Sequence, residues 1–226
     1  MINYALIMAA GRGLRMMPLT KDMTKSMIKV HGETLISKSI SQIRSAIPSI
    51  AITVGHMGAD LAKHVIEQGV SMVFNTNTKG NAWWIFNTLA KFINEPVLVL
   101  TCDNVVKLDI HFLYSNYAAL GYPLCMVVPV KPVPGIEGDF ISGHNNIVTS
   151  LNRKVKTDIY CSGIQLLNPF LINEKMNAVD DFYELWQDLI ENEDLYYSAT
   201  YPHEWYSVNS IEQLNELEKA SGGSNF

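Results

Sequence analysis

The sequence contains no apolar run near the roughly 20 residues that a membrane-spanning helix needs, no block of like charge and no low-complexity segment. A membrane-inserted protein is therefore not expected. Net charge is −5, from 17 basic and 22 acidic residues, which argues against a duplex-binding surface built on phosphate contacts. No nucleic-acid partner is expected. Only three cysteines occur, Cys102, Cys125 and Cys161, far apart and each in or beside an apolar run. They offer no CxxC metal spacing and an odd count for a disulfide framework, so free buried thiols in a reducing cytoplasm are the expectation. The six histidines are scattered without an HxxxH pair, and Met1–Gly11 lacks the basic segment of a secretory signal. Two phosphate-binding signatures are missing as well. No GxxxxGK[ST] string occurs, and the third glycine of a GxGxxG fingerprint is replaced by Met16.

What is present is a regular alternation. Strand-length apolar runs lie at 4–8, 50–54, 72–74, 97–100, 124–130 and 159–167, and helical periodicity fills 34–47, 59–68, 81–93 and 110–120. This order predicts an α/β fold: a three-layer αβα, Rossmann-like arrangement around a mainly parallel, mixed sheet. After about residue 130 the rhythm changes. A proline- and glycine-rich stretch at 131–139 precedes a small β-hairpin insertion, 140–141 against 147–151, with a turn at 143–146. Helices are expected at 180–190 and 210–220 with a short strand at 195–200 between them. One domain over 1–220 is expected, its halves dividing near residue 130, with a disordered tail at 221–226.

The most informative stretch follows the first strand. Residues 8–27 read MAAGRGLRMMPLTKDMTKSM, at the place where open parallel sheets bind ligands. Gly11 and Gly13 let backbone N–H groups approach an anion, while Arg12, Arg15, Lys21, Lys25 and Lys29 supply charge. A triphosphate would suit this loop. The stretch resembles the signature [LM]AAGxGxR[LM]xPLTxxxPKxM of the nucleotidyltransferases that act on sugar 1-phosphates, and of related small cytidylyltransferases in the MobA-like NTP transferase superfamily. Thr24 stands where the signature has proline.

The resemblance implies roles for particular residues. Arg15 would neutralise the β- and γ-phosphates, and Lys25 would bridge the α-phosphate and the acceptor phosphate. Ala9, Ala10, Gly11, Arg12, Gly13, Asn75 and Thr101 would lie against the nucleotide. VLVLTCDN, residues 97–104, delivers Asp103 to the end of a buried strand, where the family holds Mg²⁺, with Asn104 beside the acceptor. In KGNAW, residues 79–83, Gly80 and Asn81 would read the base, and Trp83 replaces the glutamine of many sugar enzymes. Of Trp83 and Trp84, one is expected in the core and the other toward the pocket. IVTSLNRK, residues 147–154, resembles VxxFxEKP with Arg153 in place of glutamate, and its Lys154 would contact the acceptor phosphate. Gly163 would allow close approach of the acceptor. WYSVNSIEQL, residues 205–214, resembles the family's closing segment, but Ser207 stands where a second metal carboxylate is common.

The implied reaction joins an NTP, CTP or UTP favoured, to a phosphorylated small molecule and releases pyrophosphate. A sugar 1-phosphate for cell-surface polysaccharide is the first expectation for the acceptor. Choline phosphate is the alternative, with Trp83, Trp84, Trp205 and Tyr206 as possible contributors to an aromatic cage. No general base is required, because the attacking phosphate is already ionised near neutral pH. A non-catalytic nucleotide sensor is the reading of a different class, prompted by Ser207 and opposed by intact Arg15, Lys25 and Asp103. A homodimer is compatible with all of these readings.

Overall fold

A computed structural model describes residues 1–220, so the tail expected at 221–226 lies outside the described residues. In chain order the first half holds β1 (Tyr4–Met8), β2 (Lys29–Val30), β3 (Glu33–Thr34), α1 (Leu35–Arg44), β4 (Ser49–Val54), α2 (Gly58–Glu67), β5 (Met72–Asn75), α3 (Trp83–Asn87), β6 (Val97–Thr101), β7 (Asn104–Val106), α4 (Ile110–Ala119) and β8 (Cys125–Val130). The second half adds β9 (Phe140–His144), β10 (Ile147–Asn152), β11 (Tyr160–Leu167), α5 (Pro169–Lys175), α6 (Phe182–Glu191), β12 (Leu195–Tyr197), β13 (Trp205–Ser207) and α7 (Ile211–Ala220).

Nine strands form one mixed sheet in the order β5-β4-β1-β6-β11-β8-β12-β10-β9. β5, β4, β1 and β6 are parallel, so their carboxyl ends share one edge. β11 runs antiparallel to both β6 and β8, and β10 antiparallel to both β12 and β9, so these two strands run against the rest. The pleat sorts alternate residues to two apolar layers. Ala5, Ile7, Leu98 and Leu100 pack with α1, α2 and α4 through Ile40, Leu61 and Leu113. Leu6, Val97 and Val99 face the opposite layer, with Trp84 of α3, Ile172 of α5 and Leu185 of α6. This is the expected αβα sandwich.

A third, smaller cluster serves the opening loop. Met16 and Ile28 are buried against Val105, Val208, Leu214 and Leu217, which fastens both ends of the basic stretch to β7 and α7. β7 pairs antiparallel with β13, placing Asn104 opposite Ser207. Thus apolar anchoring joins the opening loop to the last segment, and a two-strand ladder joins that segment to the residues after Asp103.

Several local expectations change. The helix expected over 81–93 is split: α3 stops at Asn87, and a 3₁₀ turn occupies Leu89–Phe92. Thr88 adopts extended backbone, donates its hydroxyl to the Trp84 carbonyl at 2.7 Å and accepts from the Ala90 N–H at 3.2 Å. That competes with continued helix. The first hairpin strand runs further than expected, to His144, because Asn145 and Asn146 take φ of 51° and 64° in a two-residue turn; the second starts at Ile147 as expected and ends one residue later, at Asn152. The strand expected at 195–200 ends at Tyr197. α5 is additional; its signal was Asn168-Pro169, an N-cap that accepts from Leu171 N–H followed by proline at N1.

Candidate active site

Gly13 sits in the left-handed region at φ 63°, and a Cβ there would stand 2.7 Å from the Lys25 Cβ. The glycine therefore permits Lys25 to pack against the loop. Thr20 fixes the turn by donating to the Gly13 carbonyl at 2.9 Å. From this position the Lys25 Nζ lies 2.6 Å from the Asp103 Oδ2 and 2.7 Å from the Asn209 Oδ1. The side chains of Lys25 and Asp103 are only 13% and 16% exposed, so this pair is screened far less than a surface bridge. Burial pushes the Asp103 carboxyl up, but the Lys25 charge and hydrogen bonds from Lys25 and Thr101 outweigh it and hold it below the usual carboxylate range. The neighbouring Cys102 thiol is pushed up to about 12 by burial and then by Asp103, and stays protonated.

Asn209 is a site residue that sequence reasoning missed. Its Nδ2 donates to the Ser207 Oγ at 2.6 Å and its backbone N–H donates to the Gln213 Oε1 at 2.7 Å, so its carbonyl oxygen is aimed at Lys25. Ser207 does not leave a void where a carboxylate was expected; it orients the amide that orients the lysine. The available signal was Asn209 itself, two residues after Ser207 in the closing motif.

Two cavities open at the carboxyl edge of the sheet. The smaller, about 310 Å³, is lined by Ala10, Gly11, Arg12, Gly80 and Asn81 together with Lys79. Thr53, His56 and Thr76 complete it and were not foreseen. A Cβ on Gly11 would meet nothing within 4 Å, so its backbone is open to a ligand. Gly80 differs: a Cβ there would collide with the Asp180 carbonyl oxygen, so the glycine admits the segment leading into α6. Asn81 is partly committed, since its Oδ1 accepts from the Phe182 N–H at 2.7 Å.

The larger cavity, about 680 Å³, shares Met8 and Asn81 with the first and is bounded by Thr101, Lys154 and Gly163. Other parts of its wall were not legible: Asp139, Asn152, Gln165, Asp181 at the N-cap of α6 and Trp186 within it. Gly163, at φ 82°, lies in an irregularity of β11 between Cys161 and Gln165. A Cβ there would come within 2.9 Å of the Thr101 Oγ1 and 3.3 Å of the Asn104 Nδ2. Arg153, which replaces the expected glutamate, donates to the Asp139 carboxylate at 2.9 Å.

Other expected residues fall elsewhere. Ala9 is buried and donates its N–H to Thr53 at 3.1 Å, while Asn75 turns the following loop by accepting from Asn77 N–H. Neither lines a cavity. Arg15 is 67% exposed and lies 3.7 Å from Glu137. Trp84 is the core tryptophan, Trp83 stands under the Lys79 ammonium at 5.5 Å, and Trp205 packs edge-on to Tyr160. The tryptophans therefore form no common cage. The aromatic side chains that do border the larger cavity are Phe182, Tyr183 and Trp186.

For a metal, the donor set is sparse. Among the described residues, no group of three or more His, Cys, Asp or Glu side chains could hold one. Mg²⁺, however, commonly takes only one or two carboxylates together with phosphate oxygens and water. Asp103 fits that role, and the protein alone would not form a closed cage. No helix among the described residues is long and apolar enough to cross a membrane.

At the carboxyl edge of the parallel strands, an open glycine loop, a buried lysine–carboxylate pair and two adjoining cavities are thus brought together. The chain belongs to the MobA-like NTP transferase domain family, whose model matches residues 5–225. Among solved structures it is similar to a Bacillus anthracis protein of proposed glucose-1-phosphate thymidylyltransferase function, in complex with sucrose. That likeness has a TM-score of 0.80 and 18% identity, and covers 99% of this chain and 96% of the other. It is also similar to the CTP:phosphocholine cytidylyltransferase LicC of Streptococcus pneumoniae, with a TM-score of 0.75 and 19% identity over 96% and 98% of the two chains. Among curated relatives, the bifunctional protein GlmU of Streptococcus pyogenes serotype M6 is 27% identical over 130 residues. This match takes in 53% of the chain and 28% of GlmU, so the chain corresponds to well under half of that relative.

Proposed function

We propose that this chain transfers a nucleotidyl group from CTP or UTP to a phosphorylated small molecule, with a sugar 1-phosphate as the first choice of acceptor, and releases pyrophosphate. The observation that carries this reading is the Lys25 ammonium, 2.6 Å from the Asp103 carboxylate, which also accepts from Thr101, a residue of the larger cavity's wall. In the reaction an acceptor phosphate oxygen forms a bond to the α-phosphorus. The bond to the β-bridging oxygen breaks, and pyrophosphate leaves with that electron pair. Mg²⁺, held by Asp103 and phosphate oxygens, would supply charge neutralisation at the α-phosphate.

The chain's own residues do the positioning. Gly11 and Ala10 receive the nucleotide, with Arg12 and Lys79 adding charge. Asn81 reads a pyrimidine carbonyl: its oxygen is held by Phe182 N–H, so the amide NH₂ is left to donate. Arg15, now beside Glu137, exchanges that exposed partner for the β- and γ-phosphates. Lys25 bridges the two phosphates that react, and Lys154 binds the acceptor phosphate. The wide cavity with Asp139, Asn152, Gln165 and Asp181 suits an acceptor rich in hydroxyls, as in a building block of cell-surface polysaccharide. Choline phosphate is the second reading, favoured by Phe182, Tyr183 and Trp186 beside Asp181.

The test is pyrophosphate release with four NTPs against sugar 1-phosphates, polyol phosphates, phosphocholine and phosphoethanolamine, with the nucleotide-linked product weighed by mass spectrometry. Product with one NTP and a sugar 1-phosphate, abolished in Asp103→Ala, is the expected result. Tight nucleotide binding without turnover on any acceptor would overturn it.

A further inference from the structure

Gln165 lies in β11, opposite Val99 of β6 and Val127 of β8, and is 2% exposed, yet it forms part of the wall of the 680 Å³ cavity. Its Oε1 accepts from the Trp186 indole N–H at 3.2 Å and from the Cys125 thiol at 3.4 Å. An indole nitrogen can only donate, which fixes the orientation of the amide. Burial pushes the Cys125 thiol far up, so it remains an S–H donor. Gln165 Nε2 is consequently turned away from these donors. Among the described residues it has no hydrogen-bond partner.

Gln165 is not among the side chains whose unpaired polar atoms are sealed from solvent, so what little exposure it keeps lies in the cavity wall, where the unpaired Nε2 is free to donate to a ligand atom. That atom must accept a hydrogen bond. It cannot be the trimethylammonium of a choline, which has no lone pair and meets the positive end of the amide dipole.

Resting on the transferase reading above, we infer that Gln165 is a specificity residue: its Nε2, locked by Trp186, donates to a single hydroxyl oxygen of the acceptor and so selects hydroxylated phosphates over quaternary-ammonium phosphates. Nothing in the sequence marks it, since it falls just after the glycine irregularity of β11 in an otherwise apolar strand. Trp186, which reaches the acceptor cavity from α6, acts through Gln165 as a positioning residue.

The test compares the intact protein with Gln165→Met, which keeps length and volume but removes the donor, and with Trp186→Phe, which keeps the donor and removes its lock. Steady-state KM for acceptor and for NTP is measured with glucose 1-phosphate, its 2-, 3-, 4- and 6-deoxy analogues, N-acetylglucosamine 1-phosphate and phosphocholine. Gln165→Met should raise the KM of the best hydroxylated acceptor about tenfold, equal to about 1.4 kcal/mol, while the NTP KM moves less than about twofold. One analogue lacking one oxygen should show the raised KM on the intact protein and no further rise on Gln165→Met. Trp186→Phe should give a smaller rise with the same dependence on that oxygen.

Equal KM rises for acceptor and NTP, or equal losses across every deoxy analogue, would overturn the assignment and leave the transferase reading standing. So would turnover of phosphocholine in preference to every hydroxylated acceptor. Absence of turnover on all probes would count against the transferase reading; isothermal titration of the same acceptors against Gln165→Met would then decide the inference by itself, unchanged binding overturning it. Thermal unfolding within a few degrees of the parent marks each variant as folded.

Discussion

The loop of residues 8–27 and the wall formed by β10, β11 and α6 both border cavities, yet they are built in opposite ways. The loop is contiguous, glycine-rich and fastened by two apolar anchors, Met16 and Ile28, so that bare backbone and Lys25 are presented from one segment. The wall is assembled from separate elements, with Lys154 after β10, Gln165 in β11 and Trp186 in α6, each supplying one or two polar atoms. The difference teaches that holding a phosphate constrains neighbouring residues in sequence, because successive backbone N–H groups do the work. Shaping a pocket for an acceptor constrains only positions that the fold later brings together.

The largest effects are expected where the loop's lysine meets Asp103 and Asn209. Lys25→Met should lower kcat by about 10²- to 10³-fold, as loss of a charge that stabilises the transition state does, with Asp103→Asn similarly impaired in a pyrophosphate assay. Asn209→Ala should lower kcat by about tenfold or more, since a hydrogen bond to a charged group is worth about 1.5–3 kcal/mol, while the NTP KM changes little. Gly80→Ala should cost about 1–3 kcal/mol in denaturant unfolding, because its Cβ would collide with the Asp180 carbonyl, and should raise both substrate KM values through the shared Asn81.

A control away from both regions is Asp109, the N-cap of α4. Asp109→Ala should cost about 1 kcal/mol without changing kinetics. The bond from Phe112 N–H, followed after the opposing effect of burial by His203, holds its carboxyl below the usual range. Its stabilisation is therefore complete above the ordinary carboxylate pKa and is lost as pH falls through the lowered folded value, a loss that should be missing from the acid limb of the Asp109→Ala stability curve. The smallest effect is expected at Glu137: removing this exposed partner of Arg15 should change stability by less than about 1 kcal/mol.

Much of the fold was legible because strand-length apolar runs and helical periodicity report burial directly. Tyr4–Met8 has the bounds its apolar run suggested, and β4, β5, β6 and β11 differ by one residue at an end. The split after α3 was not legible, because Thr88 bonds to Trp84 and Ala90 only once the chain has turned. In the site, Lys25 and Asp103 could be named from motifs, whereas their approach to 2.6 Å depends on the fold closing a sequence separation of 78. Asn209 was not legible because its amide is aimed at Lys25 only by its bonds to Ser207 and Gln213 in the folded chain. The tryptophans were misleading for a simple reason: large aromatic rings most often fill cores, as Trp84 does, and periodicity alone does not say which ring lines a cavity.

The division of labour between loop and wall is tested most directly by measuring KM for both substrates in two single variants, Arg12→Ala in the smaller cavity and Lys154→Ala in the larger. The account predicts a crossed result: Arg12→Ala raises the NTP KM severalfold and leaves the acceptor KM within about twofold, and Lys154→Ala does the reverse. Equal effects of both variants on both substrates would contradict it.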